Sequence, residues 1–168
     1  GAAFAPHVPA SLQALAAVIQ APDSRTNENV NATENAISSL GKLCEFQRNV
    51  IPGPESVVPQ WLQCLPLTED KVEARAVHEQ LVRMLEKNDP HLLGPNSEHL
   101  GAVVKVFATA LPTAALSEKL QLCTPDTARK MKAILMQMQG SVPPETLSRA
   151  WSSITPEQQQ ALQQAMQA

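Results

Sequence analysis

The sequence predicts an all-α chain, an α-solenoid of about three to four HEAT-type antiparallel helical hairpins with a C-terminal cap helix. Three observations predict it. Apolar residues recur along most of the 168 positions at i, i+3, i+4 and i+7, the spacing of one helix face. Prolines and capping residues cut that pattern into short rods. No segment alternates with period two or gathers β-branched and aromatic residues between turn signals, so strands are not expected.

Pro9 opens a first helix to Gln20, with Leu12, Leu15, Ala16 and Ile19 on one face. After a polar loop, a second helix at 28–47 places Ala32, Ala36, Ile37, Leu40, Leu43 and Cys44 on one stripe and stops before Ile51-Pro52-Gly53-Pro54. A short helix at 55–65 carries Val57, Val58, Trp61, Leu62 and Leu65, and Pro66 ends it. Thr68 reads as the N-cap of the next helix, with Glu69 and Asp70 where the dipole favours negative charge. That helix runs to Lys87, with Val72, Ala76, Val77, Leu81, Met84 and Leu85 on one side.

Asn96 or Ser97 is expected to cap a helix aligning Leu100, Val103, Val104, Phe107 and Leu111, and a weaker helical turn spans 114–122. Thr124-Pro125 starts a helix carrying Met131, Ile134, Leu135 and Met138 that stops at Gly140. Pro143-Pro144 begins another, with Leu147, Ala150, Trp151 and Ile154. Thr155-Pro156 repeats the start signal for a Gln-rich last helix, whose Ala161, Leu162, Ala165 and Met166 still share one face.

The shorter helices begin near Pro9, Val57, Glu98 and Pro143, at roughly the interval of HEAT-type repeats. One segment over 1–168 is expected, with repeats at 9–47, 55–87, 97–139 and 143–168. Because Gly1 is not Met and the pattern begins at once, the N-terminus reads as cut from something longer. A closed bundle would satisfy the same stripes, but it calls for longer and more equal helices. A one-sided hairpin cannot bury its apolar face alone, whereas stacking makes a continuous core and leaves two long surfaces for partners.

Hydrophobic residues make up 43% of the chain, with only 3% aromatics and no tyrosine, a mix that favours packed helices over disorder. Thirteen Lys and Arg stand against sixteen Asp and Glu, for a net charge of −3. No basic run could neutralise a track of phosphates, so direct nucleic-acid binding is not expected. No apolar run reaches the roughly 18 residues that cross a bilayer, and membrane contact is not expected either. Cys44, Cys64 and Cys123 are odd in number and widely spaced, which suits buried, reduced thiols of the cytoplasm or nucleus.

Catalytic constellations are missing from the sequence. His78-Glu79 begins an HExxH pattern, but position 82 is Val, so the second imidazole of a zinc site is absent. His78 is expected on the polar edge of its helix, and His91 and His99 in solvated loops. No GxSxG, P-loop or GxGxxG occurs. Asn31-Ala32-Thr33 fits the glycosylation pattern but lies within a predicted helix. The expectation is a protein without enzyme activity, cofactor or metal.

The residues that could carry binding fall in three groups. Asn27, Asn29, Asn31 and Asn35 crowd the start of the second helix with Glu28 and Glu34, although Asn is a poor interior helix residue. Capping by the early members and an inter-repeat hydrogen bond by Asn35 would compensate. Trp61 and Trp151 occupy corresponding places in two short helices; indoles anchor binding hot spots, yet both lie on apolar stripes and favour the core. Glu69, Asp70 and Glu73, with Glu55, Glu86, Asp89 and Glu98, could attract a basic peptide, though acids at helix starts also complement the dipole. The candidate protein-binding or inter-repeat positions are Glu34, Asn35, Trp61, Glu69, Asp70, Glu73 and Trp151.

The stretch Asn29 to Leu43, reading Asn-Val-Asn-Ala-Thr-Glu-Asn-Ala-Ile-Ser-Ser-Leu-Gly-Lys-Leu, resembles a segment near the C-terminal end of importin-β (karyopherin-β) family nuclear transport receptors, in particular their karyopherin-β3 branch. So does Val58 to Lys71, Val-Pro-Gln-Trp-Leu-Gln-Cys-Leu-Pro-Leu-Thr-Glu-Asp-Lys. The resemblance covers about 27–99, and the ending Thr155-Pro-Glu-Gln-Gln-Gln160 is similar too. Residues 112–141 match only in outline, and Glu34 stands where the family usually has Asp. The resemblance implies a long HEAT-repeat receptor that carries protein cargo with basic or folded import signals between cytoplasm and nucleus. It further implies release by Ran in its GTP form, mainly through N-terminal repeats that lie outside this sequence, and contact with Phe-Gly nucleoporins. A HEAT-repeat scaffold organising a stable protein complex is the alternative.

Overall fold

The computed structural model describes residues 2–167, and among these described residues eight α-helices follow one another. They are α1 (Val8–Gln20), α2 (Val30–Phe46), α3 (Pro54–Gln63), α4 (Lys71–Glu86), α5 (Leu100–Ala110), α6 (Pro125–Ser141), α7 (Pro144–Ser152) and α8 (Pro156–Gln167). Among the described residues there is no strand. Proline fixes the start of four helices, Pro54, Pro125, Pro144 and Pro156 each standing in first place, where the missing N–H costs nothing.

The helices stack as an α-solenoid of HEAT-like hairpins. α1 pairs with α2; α4 lies against both α2 and α6; α5 lies against α3 and α7. Two layers result, α3, α5 and α7 in one and α2, α4 and α6 in the other. α8 breaks the rhythm: it packs on α5 and on the 3-10 turn Leu111–Ala115. One continuous core runs through the stack from Val8 to Leu162, with Trp61, Phe107, Ile37 and Met131 among its largest fully buried side chains.

Several helix starts differ from expectation. The helix expected to be capped by Asn96 or Ser97 begins at Leu100. Both residues have positive φ, 53° and 57°, within the short turn Pro95–Ser97, so neither takes the extended conformation of an N-cap. Asp70, not Thr68, caps α4, its carboxylate accepting from the N–H groups of Val72 and Glu73 at 3.1 Å each. α2 starts at Val30, two residues later than expected. There the Asn29 amide donates to the Asp23 carboxylate and ties down the preceding loop.

Two buried stripes are also rotated from the apolar pattern. In α2, Ala32 is exposed while Thr33, Glu34 and Ser38 are buried. In α4, Val72 and Ala76 are exposed while His78 and Gln80 are buried. The rotations bring Glu34 and His78 onto backbone partners at neighbouring corners and Thr33 onto the Ser24 carbonyl, while Ser38 Oγ and Gln80 Nε2 are buried without a hydrogen-bond partner among the described residues.

Candidate protein-binding surface

Two of the buried polar residues, Glu34 of α2 and His78 of α4, act on the corner of the following hairpin. Glu34 is 2% exposed, and its carboxylate accepts hydrogen bonds from three consecutive backbone N–H groups: Thr68 at 2.8 Å, Glu69 at 3.2 Å and Asp70 at 2.7 Å. These donors stand just before the first turn of α4, where an anion is favoured by orphan amides and helix dipole alike. Asn35 lies alongside, its amide donating to the Asn31 carbonyl at 2.8 Å and the Asp70 carboxylate at 3.3 Å. α2 therefore holds the α3–α4 corner through a buried charge with its hydrogen bonds made.

One hairpin further on, α4 does the same with an imidazole. His78 is fully buried, which corrects its expected place on a polar edge. Its Nδ1 donates to the Leu122 carbonyl at 2.8 Å, and its Nε2 accepts from the Leu67 N–H at 3.3 Å. A carbonyl can only accept and an amide N–H can only donate, so this pair of partners selects one neutral tautomer. Burial pushes its pKa down to about 4, against a smaller upward pull from the Leu122 carbonyl. Arg75 adds an outer tie from α4 to the Glu118 carbonyl at 2.9 Å.

Trp61 is fully buried and its indole N–H donates to the Ile37 carbonyl at 3.2 Å. Gly41 lets that ring approach, because a Cβ at position 41 would lie 2.7 Å from Trp61 Nε1. A side chain with no exposed surface cannot touch a partner, so the indole serves the core. Trp151 is only half-buried. It lines an apolar groove of about 720 Å³ with Leu100, Val104, Leu135, Leu147 and Met166 from the four helices α5 to α8.

The acidic positions differ in exposure. Glu69 is exposed, Asp70 is half-buried in its capping role, and Glu73 is half-buried 3.9 Å from the Lys42 ammonium. Glu45 is tied across to α4 by Arg83 at 3.0 Å and Lys87 at 3.2 Å. Burial raises its pKa, but the hydrogen bonds from both cations outweigh that and hold the carboxyl below its usual range. Twelve of the sixteen acids and seven of the thirteen bases precede residue 101, so the first hundred residues carry −5 and the rest +2.

His91 and His99 are half-buried rather than solvated. Cys44 and Cys123 are buried, and burial raises their thiols to about 12 and about 11. Cys64 is half-buried and is likewise shifted up by burial. Thiols so shifted are poor nucleophiles. Among the described residues no group of three or more His, Cys, Asp or Glu could hold a metal, and no helix is long and apolar enough to cross a membrane.

A stack of one-sided hairpins, pinned corner to corner and presenting charged and grooved outer faces, defines a protein of the helical-repeat class. No family model matches the sequence. The chain is similar to importin subunit beta-3 of Saccharomyces cerevisiae, with 28% identity over 109 residues, 65% of this chain and 10% of that protein. It thus spans about a tenth of the length of the curated relative it matches. The similarity supports a relationship with the importin-β family of nuclear transport receptors.

Proposed function

We propose that this chain is part of a nuclear transport receptor of the importin-β type, of the karyopherin-β3 (importin-5) branch, and that it binds protein cargo. The observation that carries the reading is the similarity to importin subunit beta-3 across two-thirds of the chain. The hairpin stack agrees with it, since the two outer layers of a solenoid suit an extended protein surface. In this reading the repeats are 9–47, 55–87, 97–139 and 143–168. The exposed acids Glu55, Glu69, Glu86 and Glu98 face cargo with basic or folded import signals, and Phe-Gly nucleoporins meet apolar slots such as the one beside Trp151.

Ran in its GTP form would act mainly through repeats outside this chain, and the receptor would shuttle between cytoplasm and nucleus. The decisive experiment is a pull-down of cargo by the full-length receptor with and without GTP-bound Ran. The transport reading expects cargo to be released when Ran is added. Cargo retained equally in both samples would leave a scaffold in its place.

A further inference from the structure

α8 leaves a second crevice on the side away from Trp151, between itself, α6 and the turn Leu111–Ala115, with a volume of about 530 Å³. Its floor is apolar, with Leu111, Pro112 and Ala115. The α8 wall contributes Ala161, Gln164 and Ala165, and the α6 wall contributes Ala128, Arg129 and Lys132. Every charge lining the crevice is therefore positive. Arg129 shares the Asp126 carboxylate with Lys130 on the outer surface. The half-buried Lys132 ammonium takes no ion pair or hydrogen bond among the described residues.

We infer that this crevice is a docking site for an acidic amphipathic helix of a partner protein. Small apolar side chains of such a helix would enter between α6 and α8, and its carboxylates would meet Lys132 and Arg129. Three features point to that occupant over others. Alanines on both walls let a helix backbone come close. The unpaired ammonium beside an apolar floor gains most from a carboxylate carried on an apolar body. The net charge of +2 over residues 101–168 draws an acid to this end, whereas the −5 of the first hundred residues repels it. The site does not rest on the transport reading, and either can fail without the other.

The test uses the 168-residue chain and a fluorescein-labelled synthetic helix with an Ala/Leu stripe flanked by Glu, beside a twin carrying Lys in place of Glu. Anisotropy is expected to show the Glu helix binding about tenfold more tightly than the Lys twin. Lys132→Glu should weaken the Glu helix about fivefold and strengthen the Lys twin by a similar factor. Because the substituted position is at the surface, an unchanged circular dichroism melt shows that the fold is kept, and gain of the Lys twin cannot come from unfolding. Trp151 emission should stay constant, since that indole lines the other groove.

No binding of the Glu helix, equal binding of the two helices, or indifference to Lys132→Glu overturns the proposal. A Trp151 response together with indifference to Lys132→Glu moves the peptide to the neighbouring groove and overturns it as well. If phosphatidylserine vesicles bind in a Lys132-dependent way and the Glu helix does not, the cationic wall serves a lipid surface instead.

Discussion

The stretch from α2 to the start of α6 and the hairpin α7–α8 are built from similar short amphipathic rods, yet they are held differently. In the first, each long helix reaches into the next corner with a buried polar group: Glu34 to Thr68, Glu69 and Asp70, then His78 to Leu67 and Leu122. In the second, the α7–α8 corner is secured by its own residues and by α5. Gln159 donates to the Trp151 carbonyl at 3.0 Å, and Gln158 donates to the Thr109 hydroxyl at 3.1 Å. Only Leu162 of α8 is fully buried. Apolar stripes therefore suffice to stack hairpins, but spacing between neighbours is fixed where a buried polar group spans them. Around α8, where none does, crevices of about 720 and 530 Å³ lie on both sides of the helix, larger than the crevice of about 300 Å³ between α4 and α6.

The largest test of this contrast is Glu34→Ala. It leaves three backbone N–H groups without their acceptor in a part-buried site, and the expected loss is about 3 kcal/mol of unfolding free energy in urea titrations. Glu34→Gln retains one acceptor oxygen and should lose about half of that. A loss under 1 kcal/mol for Glu34→Ala would mean that water replaces the carboxylate and the corner is not pinned by it.

His78 supplies the next test, through pH. Its folded pKa lies near 4 against an ordinary value of 6.5, so between those limits the unfolded chain binds a proton that the folded chain does not. Stability therefore rises with pH across that window and is lost as pH falls through it, by about 3 kcal/mol for the whole interval. A proton on Nε2 would point at the Leu67 N–H, which is the structural reason for the cost. Urea unfolding of the wild type minus that of His78→Gln, measured from pH 7 to pH 4, isolates this contribution from the carboxylates. A flat difference curve would break the assignment of the neutral imidazole.

How much of this was legible in the sequence follows from what sets each feature. The core members Val103, Phe107, Met131 and Leu162 were readable because a helix stripe is a local property, complete within a few residues. The buried roles of Glu34 and His78 were not. Their partners lie 34 to 36 residues away for Glu34, and 11 and 44 residues away for His78. Nothing in local spacing says which polar residue will meet a corner. Asn-rich crowding at the start of α2 did signal that polar groups there needed partners, and Asn35 meets Asp70. The displacement of α8 onto α5 was equally hidden, because its stripe is satisfied by either neighbour.

Leu162→Ala probes the looser region. The side chain is 1% exposed, and its truncation should cost about 2 kcal/mol, at the low end for a buried leucine because the flanking crevices let the site relax. Hydrogen exchange is expected to speed up in α7 and α8 while α2 and α4 keep their protection, as for a separate opening unit. Uniform acceleration along the whole chain would show that the last hairpin is coupled as tightly as the others.

Lys87→Ala gives the smallest effect and serves as a control on the pinned side. Its ammonium is 3.2 Å from Glu45, but the side chain is 66% exposed, and water and salt screen such a pair. Arg83 remains at 3.0 Å to hold the same carboxylate. Thermal unfolding should register about 0.5 kcal/mol or less, fading further in high salt. Hydrogen exchange in α4 should be unchanged. If instead α4 loosened as much as in Glu34→Ala, surface ion pairs and not buried corner contacts would be setting the spacing of α2 and α4, and the contrast with α7–α8 would have to be drawn from charge density alone.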